Sequence, residues 1–110
     1  MPLRIVYVTI QSVDASSFRA PAEEVCRENG WDLDLLCANS SDIDEDPLLY
    51  HELVLRSKVA DLVLVRVMAD PVRMRRFEQW EKVLRGCPGY VHVYSGNLEV
   101  SLVYRDLFKG

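Results

Sequence analysis

A chain of 110 residues, 49% hydrophobic and 27% charged, holds enough apolar material for a single core and is neither disordered nor fibrous. Its formal net charge of −4 excludes nucleic acid and anionic membrane surfaces as partners, because both demand a basic footprint. Its apolar runs fall far short of the roughly 18 residues of a membrane span, and Arg4 interrupts the one place a leader peptide would be sought, so the composition reads as cytoplasmic.

The first apolar run, residues 3–10, is nearly continuous in aliphatic and β-branched residues from Ile5 onward and predicts a central strand covered on both faces. A cluster of turn and capping residues follows, Gln11-Ser-Val-Asp-Ala-Ser-Ser. Phe18, Ala22, Val25 and Cys26 then fall at i, i+4, i+7 and i+8, the stripe of a first helix that Asn29-Gly30 ends. Pro21 fits that helix only in its first turn. Trp31-Asp-Leu-Asp-Leu alternates polar with apolar, as an edge strand does, and Asn39-Ser-Ser-Asp-Ile-Asp-Glu-Asp-Pro closes it. Asp46-Pro47 is an acidic N-cap followed by proline at the first helical position, and it opens a second helix. The second central strand is Leu62-Val-Leu-Val-Arg-Val-Met. Asp70-Pro71 repeats the cap-and-proline start and opens a third helix with the stripe Phe77, Trp80 and Leu84. Tyr90-Val-His-Val-Tyr alternates again and predicts the other edge strand. Asn97 is placed to cap a fourth helix carrying Val100, Val103, Tyr104 and Leu107.

Strand and helix recur at intervals of about 30 residues, which implies a parallel sheet, since parallel neighbours require a crossover. Two central and two edge strands, joined by right-handed crossovers, give the order 2-1-3-4. The expected fold class is therefore α/β: a three-layer, four-stranded parallel sheet of flavodoxin-like or Rossmann-like winding, forming one domain over residues 1–110. The chain stops directly after the fourth helix, which is expected of the N-terminal part of a longer polypeptide or of a small domain that pairs with another chain.

Ligands of such sheets bind at the carboxyl ends of the strands, where the chain order reverses, here between the first and third strands. The candidate ligand-binding residues delivered there are Ser12, Asp14, Arg66, Asp70, Ser95 and Asn97, with Gln11 and Met68 beside them. Arg66 is the sharpest of these, because it interrupts an otherwise apolar central strand and a buried guanidinium needs an acidic partner. That partner is either internal, Asp14, Asp70 or a carboxylate on a covering helix, or belongs to a ligand. Ser12, Asp14, Ser95 and Asn97 also suit ordinary caps and turns.

Several chemistries fail for want of a required residue. The loop after the first strand has no glycine, which removes both the dinucleotide fingerprint and the P-loop. The first strand ends Val8-Thr-Ile rather than in paired acids, so a phospho-acceptor domain is rejected. Asp42-Ile-Asp-Glu-Asp invites calcium, but Pro47 and Leu53 stand where an EF-hand loop needs glycine and glutamate, and an acidic first helical turn explains the run. His51 and His92 have no partner at metal spacing and read as packed or surface imidazoles. Arg73, Arg75 and Arg76 read as a solvated face near Glu78 and Glu81. Cys26, Cys37 and Cys87 are too widely spaced for a zinc site and odd in number, so no disulfide framework is expected. Ser12 or Ser95 as a hydrolase nucleophile lacks the Gly-x-Ser-x-Gly elbow and a histidine partner.

Taken in order, Val8-Thr-Ile-Gln-Ser-Val-Asp-Ala-Ser-Ser-Phe-Arg, the run from Asn39 to Pro47, Ala60-Asp-Leu-Val-Leu-Val-Arg-Val-Met, Val93-Tyr-Ser-Gly-Asn and Tyr104-Arg-Asp-Leu-Phe-Lys-Gly resemble the extreme N-terminus of the large subunit of cobaltochelatase and its magnesium-chelatase relatives. The resemblance runs over essentially the whole chain. It implies the tetrapyrrole-binding subunit of an enzyme that inserts cobalt in cobalamin biosynthesis, with ATP and magnesium handled by separate AAA-type subunits. It implies as partners the rest of the large subunit, those ATPase subunits and the tetrapyrrole, and it places no catalytic residue, metal or cofactor in this stretch. On that reading Arg66 pairs an acidic edge of the macrocycle, Trp31 or Trp80 reports the contact, and Phe77 and Trp80 are core rather than a macrocycle platform. The alternative is a free-standing flavodoxin-like domain for ligand binding or dimerisation.

Overall fold

The computed structural model of the chain describes residues 2–10, 15–67 and 74–95. Four strands, β1 (Pro2–Ile10), β2 (Asp32–Asn39), β3 (Leu62–Val67) and β4 (Tyr90–Ser95), form an all-parallel sheet in the order β2-β1-β3-β4. A 3-10 turn at Ala15–Phe18 leads into α1 (Arg19–Asn29); α2 (Ser40–Glu45) and α3 (Pro47–Val59) follow β2, and α4 (Phe77–Gly86) precedes β4.

The two faces of the sheet are built from alternate residues, and each is covered by helices, which gives the three layers. On one face Val6, Val8 and Ile10 of β1 lie level with Val63, Val65 and Val67 of β3, and Ala38, Val91 and Val93 extend the layer to both edges. Ile43 of α2, Leu53 of α3 and Phe77, Trp80 and Leu84 of α4 close over it. On the other face Ile5, Tyr7 and Leu35 pack against Ala22 of α1, and Phe18 stacks on Tyr7 with ring centroids 4.4 Å apart. That second layer thins toward β4, where Tyr90 is 61% exposed and His92 is also at the surface.

Between α3 and α4 one polar link crosses the core. The indole Nε1–H of Trp80 donates to Ser57 Oγ at 2.9 Å, and the Ser57 hydroxyl donates to the Leu53 carbonyl at 2.7 Å. Both side chains are fully buried, so this chain of bonds is what lets a tryptophan and a serine share an otherwise apolar interior. At the amino edge of the sheet, Arg4 N–H donates to Asp61 Oδ2, Asp61 N–H to the Arg4 carbonyl and Tyr90 N–H to the Asp61 carbonyl, tying the starts of β1, β3 and β4 together. Gly89 is required by this closure, because a β-carbon there would run into the Ala60 carbonyl oxygen.

Three local expectations change. Val25 is half exposed, because α1 seats on Ala22 and Cys26, four residues apart, and Val25 lies a hundred degrees round from Cys26. The helix that carries Phe77, Trp80 and Leu84 is α4 and begins at Phe77, after a turn at residues 74–76, with the Phe77 N–H meeting the Met74 carbonyl while Met74 itself fills the core; Asp70 and Pro71 lie outside the described residues. The acidic run after β2 is itself a short helix, α2, which Asn39 starts by accepting from Asp42 N–H at 2.9 Å and which sends Ile43 inward. The fourth predicted helix, with Asn97, lies outside the described residues. As expected, Asp46 caps α3 through Leu48 N–H ahead of Pro47, and Gly30 ends α1 at a φ of 70°.

Replacing Ser57 by alanine leaves the Trp80 N–H buried without an acceptor and is expected to cost about 1–3 kcal/mol in urea unfolding followed by circular dichroism. In the same assay Gly89→Ala is expected to cost at least about 2 kcal/mol, whereas Gly86→Ala, with open space at its β-carbon, costs nothing or stabilises.

Candidate functional site

The chain leaves β1 to build β2 on one side and β3 on the other, so the order reverses between β1 and β3, and the carboxyl ends of those strands are where sheets of this winding receive ligands. Parallel register brings Asn39, Thr9, Arg66 and Tyr94 into one row across all four strands at that edge. Thr9 and Arg66 continue the face that carries Ile5, Tyr7, Leu62 and Leu64, the side of the sheet on which α1 packs. Apolar packing therefore gives way to polar groups in the last row before the carboxyl ends. Thr9 is fully buried and hydrogen-bonded, and Asn39 is committed to the α2 cap.

Arg66 is half-buried, and neither a hydrogen bond nor an ion pair joins its guanidinium to another described residue. The acidic partner that its position demands is thus not a described carboxylate on any covering helix. Of the other five candidate residues, Ser95 ends β4 in register with Val67, one position beyond the row of Arg66; Ser12, Asp14, Asp70 and Asn97 lie outside the described residues, as do Gln11 and Met68. A guanidinium in this setting can recognise a carboxylate or phosphate through two parallel N–H donors.

On the opposite face, the same edge carries a second polar cluster that sequence reasoning did not assemble. The Asp44 side chain is nine-tenths buried; its Oδ2 accepts from Arg75 N–H at 3.1 Å, and the Arg75 guanidinium donates back to the Asp44 carbonyl at 3.0 Å. Asp44 Oδ1 is buried with no donor among the described residues. Arg76 lies over the Tyr50 ring at 4.9 Å. Arg75 is solvated as expected, its side chain three-quarters exposed while it reaches Asp44; Arg76 lies against Tyr50, and Arg73 lies outside the described residues. The sequence signal was a pair of adjacent arginines and an acidic run thirty residues earlier, and only the fold brings them together. Burial pushes the Tyr50 phenol above its usual value of 10, with the Arg76 charge acting in the opposite direction.

His51 and His92 are both exposed, on α3 and β4, and among the described residues no three histidine, cysteine or carboxylate side chains converge as a metal site would require. Cys26, Cys37 and Cys87 are free thiols. Among the described residues two grooves lie at the opposite, amino edge: one of about 250 Å³ beside Pro2, Leu3, Trp31 and Asp61, another of about 330 Å³ between Lys58, Lys82, Val83 and Cys87. Trp31 is half exposed there and Trp80 is sealed in the core, so neither tryptophan sits at the carboxyl edge. Phe77 and Trp80 are core, as their spacing predicts. Among the described residues no helix is long and apolar enough to cross a membrane.

Comparison with protein-family models, with curated proteins and with solved structures returns no match to this chain.

Because no described group pairs with Arg66, Arg66→Met is expected to leave thermal stability unchanged or slightly raised, the apolar stem replacing an arginine stem of similar reach; a loss above about 1 kcal/mol would mean that an internal carboxylate holds it. At the other cluster, a phenol raised by burial stabilises the fold in its neutral form. That contribution is complete below pH 10 and is lost as pH climbs through the ionisation of folded Tyr50, so Tyr50→Phe is expected to flatten the fall in unfolding midpoint above pH 10.

Proposed function

We propose that this domain is a noncatalytic binding module whose carboxyl edge receives a carboxylate-bearing ligand on Arg66. The observation that carries the reading is Arg66 itself, a half-buried cation on a central strand at the point where the sheet order reverses, joined to no described acid. Desolvating a guanidinium is worthwhile only where an anion completes it, and a carboxylate meets its fork geometry.

The specific form of the reading is the N-terminal module of the large, tetrapyrrole-binding subunit of an ATP-dependent cobaltochelatase. It rests on the ordered likeness of the five sequence segments and on the acidic side chains that ring a corrinoid precursor. In that setting the module supplies a wall or docking surface to the macrocycle, cobalt and tetrapyrrole are substrates of the whole enzyme, and ATP and magnesium belong to the partner subunits. A second reading is a free-standing flavodoxin-like domain that takes a smaller carboxylate.

Calorimetric titration separates the two readings, and neither tryptophan is placed to report by direct contact. Hydrogenobyrinic acid diamide binding to the wild-type domain, weakened at least about tenfold by Arg66→Met, is the outcome expected for the tetrapyrrole module. Binding of citrate alone, with the same dependence on Arg66, would assign the free-standing reading. Absence of binding by either, or binding indifferent to Arg66→Met, would overturn the proposal.

A further inference from the structure

The chain holds three asparagines, Asn29, Asn39 and Asn97, and the two that lie among the described residues are held in opposite ways. Asn39 is half-buried at the start of α2, where its Oδ1 accepts from Asp42 N–H at 2.9 Å and from the Ser41 hydroxyl at 2.8 Å. Undoing that cap would unseat Ile43, which is fully buried. Asn29 is exposed at the last position of α1, and its Nδ2 donates to the Val25 carbonyl at 2.8 Å on the solvent side of the helix.

Gly30 follows, at a φ of 70° and with open space where a β-carbon would stand. An asparagine amide is attacked by the main-chain nitrogen of the next residue, and a side chain on that residue is what obstructs the approach; glycine presents none. In the step, the Gly30 nitrogen gives up its proton to water and bonds to Asn29 Cγ, the Cγ–Nδ2 bond breaks and ammonia leaves. Water then opens the cyclic imide at either carbonyl, giving aspartate or isoaspartate.

The helix end is the gate. While α1 is closed, the Gly30 N–H is engaged with the Arg27 carbonyl, and the last turn has to open before its nitrogen can reach Cγ. That bond is long, at 3.3 Å, and residues 27–30 are all exposed, so opening uncovers no apolar side chain and lies at the low end of local unfolding energies. The tighter bond from Trp31 N–H to the Cys26 carbonyl, at 2.8 Å, spans the turn, and the buried Cys26 keeps the body of α1 seated meanwhile.

We propose that Asn29 is a site of spontaneous modification in the folded protein, its amide converting through the imide to isoaspartate and aspartate with water as the co-reactant, while the α2 cap protects Asn39. Isoaspartate adds a methylene to the main chain at the joint between α1 and β2 and leaves a carboxylate at the negative end of the α1 dipole. The joint lies at the amino edge of the sheet, away from Arg66, so the inference is independent of the binding reading.

Peptide mapping by mass spectrometry tests this on the intact chain aged at mildly alkaline pH, both folded and in urea. The ratio of the two rates at each asparagine cancels the intrinsic effect of the residue that follows it. Asn29 in the folded chain is expected to react within about tenfold of its rate in urea, and Asn39 at least about a hundredfold more slowly than in urea. Isoaspartate is expected at position 29, and Asn29→Ser, a polar replacement at an exposed position, is expected to abolish that product. Slowing of Asn29 by folding as strong as that of Asn39, or aspartate at position 29 without isoaspartate, would overturn the proposal.

Discussion

The pairing of β1 with β3 governs everything else in this domain. Ile5 to Ile10 lie level with Leu62 to Val67, six residues against six, and because side chains alternate along a strand a slip of one position would send Val6, Val8 and Ile10 to the α1 side and Ile5, Tyr7 and Thr9 beneath α3 and α4. The smaller, branched layer fits under Trp80 and Leu84, and the larger, partly polar layer fits under the shorter cover of α1. That register is also what sets Thr9 beside Arg66. The candidate site is thus a by-product of the same alternation that sorts the core.

How much of this is legible in the amino-acid order depends on the range of the signal. The sheet order followed from strand texture alone: continuous aliphatic runs at Ile5 and Leu62 became the centre, and the alternating runs at Trp31 and Tyr90 became the edges. Asp46 with Pro47 marked the start of α3 because capping is a contact between residues two apart. Asp70-Pro71 carries the same signal but lies outside the described residues, and the start of α4 at Phe77, just after the buried Met74, has no comparable cap in the sequence. The short helix after β2 was hidden by an acidic run that reads equally as a loop. Asp44 with Arg75 could not be foreseen, because nothing local links positions 31 apart.

The carboxyl edge ends up with opposite charges on its two sides. Arg66 emerges on the face beneath α1, and Asp44, with one carboxylate oxygen lacking a donor among the described residues, emerges on the face beneath α2 and α3. Ile10 and Val67, both fully buried, pair one position beyond Thr9 and Arg66.

The bond from Trp80 to Ser57 has an effect that reaches beyond the interior. Greasy side chains alone would allow α3 to roll a few tens of degrees about its own axis at little cost, since Leu53, Val54 and Tyr50 could trade places against the sheet. A hydroxyl anchored at both ends, to an indole in front and to its own helix behind, has a single azimuth. What is locked within is therefore also displayed without: the helix turns the same side to solvent in every molecule.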